Sequence, residues 1–259
     1  QLSRGLGDVY KRQVNASFAY LSTFGAADLI ALEDLYSAQG YSLSNSFAGD
    51  TTYGFNTNIP ISTSQVFSEL SNLIETTAFT IADGSGNDTL DFSGFFNNQI
   101  IDLRSTEKNS NTLYSSDIGG SIGNLVISSG TIIENAIGGL GNDNIIGNFS
   151  NNILNGGNGN DLLIGGFGDD TYIIDSISDT IYEDINEGTD LILAPVSFTI
   201  PKNVEKITLT GSLDIDATGN DLDNTFKGNS GNNKIDGRLG TDIIISVSYT
   251  HLRAHETVV

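Results

Sequence analysis

From residue 138 onward, apolar side chains recur every nine positions. The chain reads GGLGNDNII, GNFSNNILN, GGNGNDLLI and GGFGDDTYI from Gly138, then GNDLDNTFK, GNSGNNKID and GRLGTDIII from Gly219. In each copy six Gly-, Asn- and Asp-rich residues precede a three-residue run. The middle residue of that run is Ile145, Leu154, Leu163, Tyr172, Phe226, Ile235 or Ile244. Side chains alternate faces along a strand, so each run predicts a short strand with its middle residue inward. Two nonapeptides complete one coil, and a turn then stacks on the turn two repeats later. Outside the two blocks, Leu29, Leu32 and Tyr36 fall at helical spacing and predict a helix over 25–37. Segment 50–56 (DTTYGFN) predicts a strand entering a turn, and 83–91 (DGSGNDTLD) an isolated turn of the repeat's chemistry with Leu90 inward. Residues 171–210 predict four short strands, and 57–76 give no assignment. The expected fold is mainly β: a parallel β-roll with a β-sandwich-like flank and one short N-terminal helix.

The polar half of the repeat carries the chemistry. Glycines at its first, second and fourth places (Gly139 and Gly141; Gly156, Gly157 and Gly159; Gly165, Gly166 and Gly168) let backbone carbonyls turn inward without a Cβ clash. The sixth place offers a carboxylate at Asp143, Asp161, Asp170 and Asp242, and an amide at Asn152, Asn224 and Asn233. Carbonyl and carboxylate oxygens between stacked turns suit calcium, a hard cation that takes six or more oxygens. Asn keeps an oxygen but loses the charge, so the second block is expected to bind calcium more weakly. Asp143 and Asp161 should line one edge of the roll, and Asn152 with Asp170 the other. Asp83 and Asp88 are expected ligands of the isolated turn, whereas Asp175, Asp179 and Asp190 read as solvated strand-edge acids, with further calcium ligands as the alternative.

Composition strengthens this reading. The 259 residues hold 32 acidic and 11 basic side chains, a formal charge of −21. Such a surface repels nucleic acid and anionic membranes, and it repels itself until cations neutralise it. Cysteine is absent, which excludes disulfides and thiolate metal sites. No apolar run is long enough to span a bilayer, and no signal-peptide pattern opens the sequence. Segments 5–13 and 247–257 differ in composition from the rest and resemble translated sequencing-adapter read-through. His251 and His255 have the spacing of a zinc-binding helix, but Leu252 stands where the general-base Glu belongs, so no zinc site is expected there.

The nonapeptides follow the established consensus of RTX, or haemolysin-type, calcium-binding repeats. The pieces DLIALEDLY, GDTTYGFN, DGSGNDTLDFSGFFNNQIIDL and TIIENAIGG, followed by the first block, resemble the C-terminal region of serralysin-type metalloproteases. That resemblance implies calcium ligands at Phe47, Gly49 and Thr51; at Asp83, Ser85, Gly86 and Asp88; and at Ile132 and Glu134. In the roll it implies Gly139, Gly141, Asp143, Asn148, Ser150, Asn152, Gly156, Gly157, Asn158, Gly159 and Asp161. At Phe47 and Ile132 only a backbone carbonyl can serve. It further implies a secreted, extracellular bacterial protein exported by type I machinery through a C-terminal signal and folded by external calcium. The domain organisation expected is tail (1–13), remnant helix of a protease domain (14–45), serralysin-like β region (46–137), first roll (138–173), connecting unit (174–218), second roll (219–245) and tail (246–259). No HExxH motif occurs, so the chain as it stands is expected not to be an enzyme, and Zn²⁺ would belong to a catalytic domain outside it. The stretch from GDDTYIID to VEKITLTG resembles another haemolysin-type unit. An RTX adhesin, or the RTX tail of a different secreted enzyme, is therefore the alternative.

Overall fold

The computed structural model describes residues 47–107 and 112–245, together with positions 20–21, 29, 251–252 and 257–258. Of the helix expected over 25–37, Leu29 alone falls among them; it is helical and buried. The two segments read as adapter-like lie outside the described residues, apart from 251–252 and 257. The chain forms two compact units, Gln1–Ile146 and Gly147–Val259.

The first unit contains β1 (Tyr20–Leu21), β2 (Thr52–Gly54), β3 (Thr77–Ile81), β4 (Thr89–Asp91), β5 (Ile100–Asp102), β6 (Leu125–Ile127), β7 (Asn135–Ile137) and β8 (Asn144–Ile146). Its named strands pair in parallel, as β2–β4–β7, β1–β3–β6 and β5–β8. The sandwich-like flank is thus itself built from parallel coils. Its antiparallel contacts among the described residues are single bridges, Ile100 to Asp117 and Ser116 to Leu125. Two short helices, α1 (Gln65–Ser68) and α2 (Leu70–Leu73), occupy the stretch that the sequence left unassigned. Ser64 caps the first by accepting from the Phe67 backbone N–H at 3.3 Å. Leu70 and Ile74 are then fully buried, and Phe47, Tyr53 and Phe67 meet edge to face.

The second unit contains β9 (Ile153–Asn155), β10 (Leu162–Ile164), β11 (Thr171–Ile173), β12 (Thr180–Tyr182), β13 (Leu191–Ala194), β14 (Phe198–Thr199), β15 (Lys206–Leu209), β16 (Ala217–Thr218), β17 (Thr225–Lys227), β18 (Lys234–Asp236), β19 (Ile243–Ile245), β20 (His251–Leu252) and β21 (Thr257–Val258). Parallel pairing runs β9–β11–β13–β15–β17–β19–β21 along one face. The pairs β10–β12 and β14–β16–β18–β20 form two further sheets. Leu154 lies beside Tyr172, Leu163 beside Ile181 and Phe226 beside Ile244. These are steps of two nonapeptides.

All seven interior positions named from the sequence are fully buried. A buried Leu, Ile or Phe contributes about 1.5–3 kcal/mol, and one such residue per strand gives a thin core. Residues 171–210 hold five strands, β11 to β15, where four were expected, because the first expected run divides at the turn 174–179. These strands pair in register with both repeat blocks.

Candidate metal centres

The turns acquire their shape from the sixth residue. In the second unit several of these carboxylates accept the backbone N–H of the sixth residue one coil earlier. Asn152 N–H donates to Asp170 Oδ1 at 2.6 Å, Asp161 N–H to Asp179 Oδ1 at 3.1 Å, and Asn224 N–H to Asp242 Oδ1 at 2.9 Å. The column goes on through Asp170 N–H to Asp190 Oδ1 at 2.8 Å and Asp190 N–H to Glu205 Oε2 at 2.9 Å. Asn152 and Asp170 therefore stack as expected.

Asp179 and Asp190 correct the sequence reading. They are buried, Asp190 to 1 % exposure, and each accepts the N–H of a sixth-place residue one coil earlier; Asp175 is exposed, as expected. The signal was present, because IDSISDTIY (174–182) is one more step of nine, with Asp179 sixth and Ile181 eighth. The loss of every turn glycine concealed it.

The glycines close the turns upon one another. A β-carbon on Gly166 (φ +91°) would lie 2.8 Å from the Asn148 carbonyl oxygen, and one on Gly168 (φ +124°) 2.7 Å from Ser150. Asn148 N–H donates to Asn152 Oδ1 at 2.7 Å, and Ser150 N–H to Asn148 Oδ1 at 2.9 Å. Gly157 and Gly159 also have positive φ, and a β-carbon on Gly156 would strike Asp161 Oδ2. Asp161 is buried while Asn158 is exposed. In the second block, Asp242 is buried beneath Gly237 in the same manner.

In the first unit, Asp143 accepts from Gln99 N–H at 2.7 Å and from the Gly139 N–H. A β-carbon on Gly141 would meet the Asn97 backbone at 2.5 Å. The first nonapeptide turn thus stacks on residues 95–99, a partner that the repeat alignment missed because 95–99 lacks the glycine pattern. The isolated turn is assembled from three segments. Thr51 N–H donates to Asp88 Oδ1 and Asp88 N–H to Glu134 Oε2, both at 2.7 Å. Tyr53 hydroxyl donates to Asp83 Oδ2 at 2.6 Å. Gly49 N–H reaches the Ser85 carbonyl at 2.6 Å. Phe47 (φ +44°), Gly49 (φ +102°) and Gly86 (φ +151°) take left-handed backbone there. The Ile132 side chain points outward.

This donor set fits a hard cation. Asp88 Oδ2, Asp170 Oδ2 and Asp190 Oδ2 are buried and find no hydrogen-bond donor among the described residues. An uncompensated buried carboxylate must be neutralised by a proton or a cation. Burial, reinforced by Asp83 and Glu134, pushes Asp88 up to about 7. Burial and the charge of Asp190 push Asp170 up to about 7. Burial likewise raises Asp83, Asp143 and Asp242 above the ordinary carboxylate range.

With the turns stacked and their oxygens turned inward, comparison with known proteins gives the family. Residues 44–195, more than half of the chain, match the profile described as Peptidase M10 serralysin C terminal. The chain belongs to the serralysin C-terminal family. Residues 218–246 of this serralysin C-terminal chain match the RTX calcium-binding nonapeptide repeat. It is 45 % identical over 125 residues to metallopeptidase AprA of Pseudomonas marginalis, covering 48 % of this chain and 23 % of the relative. It is 44 % identical over 116 residues to serralysin B of Dickeya chrysanthemi, covering 45 % and 21 %. It is also 38 % identical over 136 residues to serralysin of Proteus mirabilis, covering 52 % and 25 %. The alignments span about a quarter of the length of these relatives. The RTX repeats indicate calcium binding, and no helix among the described residues is long and apolar enough to cross a membrane.

Proposed function

We propose that this chain is the calcium-folded, secretion-linked part of a longer serralysin-like metalloendopeptidase. The observation that carries the proposal is the coincidence of the family match over 44–195 with stacked turns whose buried carboxylate oxygens lack donors. The ligands are the residues expected from the sequence: Phe47, Gly49, Thr51, Asp83, Ser85, Gly86, Asp88, Ile132 and Glu134 in the flank, and the turn glycines with Asp143, Asn148, Ser150, Asn152, Asn158, Asp161, Asp170 and Asp242 in the roll. Calcium supplies the positive charge that lets neighbouring coils approach, and its binding energy becomes folding energy. Export precedes folding, because the chain meets millimolar calcium only outside the cell. Zinc and peptide hydrolysis belong to a catalytic domain beyond these residues, and the expected domain boundaries follow the same scheme.

The RTX match at 218–246, beyond the end of the family match at 195, favours a second reading, the repeat tail of a different secreted protein. The coding sequence upstream of Val14 separates the two. An HExxH helix supports the protease reading, and adhesin-like domains or further repeats overturn it. The calcium reading is tested by titrating the full chain with Ca²⁺ and then EGTA under far-UV circular dichroism. The β signal should grow and then collapse, and a signal indifferent to chelation would refute calcium-coupled folding.

A further inference from the structure

The turn between β12 and β13 breaks the nine-residue rule. It takes eight residues, 183–190, and it opens on Glu183 where a regular copy opens on glycine. Glu183 is 4 % exposed. Its Oε1 accepts from the Tyr172 hydroxyl, itself buried, while its Oε2 finds no donor among the described residues. Asp170 and Asp190 stand on the two turns stacked at this point, each with Oδ1 occupied by a backbone N–H and Oδ2 buried without a donor. An oxygen from each of the three carboxylates lies within 4.8 Å of the others.

Gly165 keeps this space open. A β-carbon there would strike the Tyr172 hydroxyl, Asp170 Oδ2 and Glu183 Oε1 together. Asp169 and Glu187 add negative charge nearby, and Lys206 offsets part of it at Asp190. Three buried carboxylates stand together here, each with one oxygen that finds no donor among the described residues, and they need positive charge brought in from outside. All donors are oxygen, which selects a hard dication over zinc or copper.

We propose that Asp170, Glu183 and Asp190 form a carboxylate-built calcium site, set where the chain leaves the nonapeptide rule. The proposal rests on the reading that the roll binds calcium, and it adds a carboxylate, Glu183, at the place where the regular turns have glycine. With three formal charges in one cradle, this site should fill before the turns built mainly on carbonyls, because ligand charge raises affinity. Tyr172 touches the cluster and serves as an antenna for terbium, a calcium surrogate.

The test uses the full chain, equilibrium dialysis with radiocalcium, and tyrosine-sensitised terbium emission. Glu183→Gln should remove one ion from the stoichiometry or weaken the tightest class at least about tenfold, with loss of the first emission phase. Unchanged stoichiometry and affinities in a Glu183→Gln chain that still binds calcium would overturn this site alone. A wild-type chain that binds no calcium would overturn the broader reading with it. If Glu183→Gln does not fold in saturating calcium, crystals of the unaltered chain soaked in terbium decide. An anomalous peak among Asp170, Glu183 and Asp190 is expected, and peaks elsewhere with none here refute the site.

Discussion

At the sixth turn position, asparagine does something aspartate cannot do: it donates. Asn233 Nδ2 reaches the Ile215 carbonyl at 2.9 Å and Asn229 Oδ1 at 2.8 Å, while Asn229 Nδ2 reaches the carbonyls of Thr210 and Leu213 at 3.0 Å. Asn224 Nδ2 reaches the Val204 carbonyl at 3.2 Å. In the second block an amide therefore binds carbonyls of an adjacent coil, which elsewhere is the cation's task. Asn233→Asp should destabilise the EGTA-treated chain by about 1–3 kcal/mol in urea unfolding, since buried carbonyls lose their donor. An unchanged midpoint would contradict the amide ladder. Asp161→Ala should weaken the calcium response more than Asp242→Ala, measured by the same dichroism titration. Gly86→Ala should cost more than about 1 kcal/mol in calcium, because φ is +151° and the new Cβ would sit 2.8 Å from Asp88 Oδ1. Asp143, Asp161, Asp170 and Asp242 were legible in the sequence from spacing alone, and Asp179 and Asp190 were not. The donor role of Asn was not, because it depends on which carbonyls the next coil presents.

Single turns show where the periodic signal ends and packing takes over. The seven interior positions were legible because one apolar residue per nine suffices to mark them. Segment 174–182 keeps that beat but loses its glycines, and so it read as an ordinary strand with solvated acids. The helices α1 and α2 left almost no trace, since each is four residues long and rests on the Ser64 cap and on burial of Leu70 and Ile74. The turns also carry a pH dependence. Without calcium, burial holds Asp88 and Asp170 near 7, against about 3.9 in an unfolded chain. A raised folded-state value stabilises fully below the unfolded value, and that stabilisation is lost as pH rises through the folded one. The EGTA-treated chain should therefore melt at a higher temperature near pH 5 than near pH 8. Saturating calcium should flatten or reverse the trend, because the ion needs ionised carboxylates. A chelated chain that melts lower at pH 5 would sink this account.

Across the whole molecule, a formal charge of −21 opposes compaction, and the two kinds of turn answer it differently. Each ion contributes about 2.7 kcal/mol when calcium stands at 100 times its Kd, whereas the amide ladder needs no ion. On stepwise chelation, hydrogen exchange should therefore accelerate first at 83–91, 139–143 and 152–190, and later at 217–245. Simultaneous loss across all segments would show that the blocks do not differ in their need for calcium. The column of sixth residues also has a direction. Asn152 N–H leans on Asp170, Asp170 on Asp190, and Asp190 on Glu205. Each of these three N–H groups is held by a carboxylate of the coil that follows it in the chain. Removing Glu205 strips the acceptor from the Asp190 N–H, while cutting back the Asn152 side chain leaves all three acceptors standing. Along this column of side-chain acceptors, a lost carboxylate is felt first on its N-terminal side.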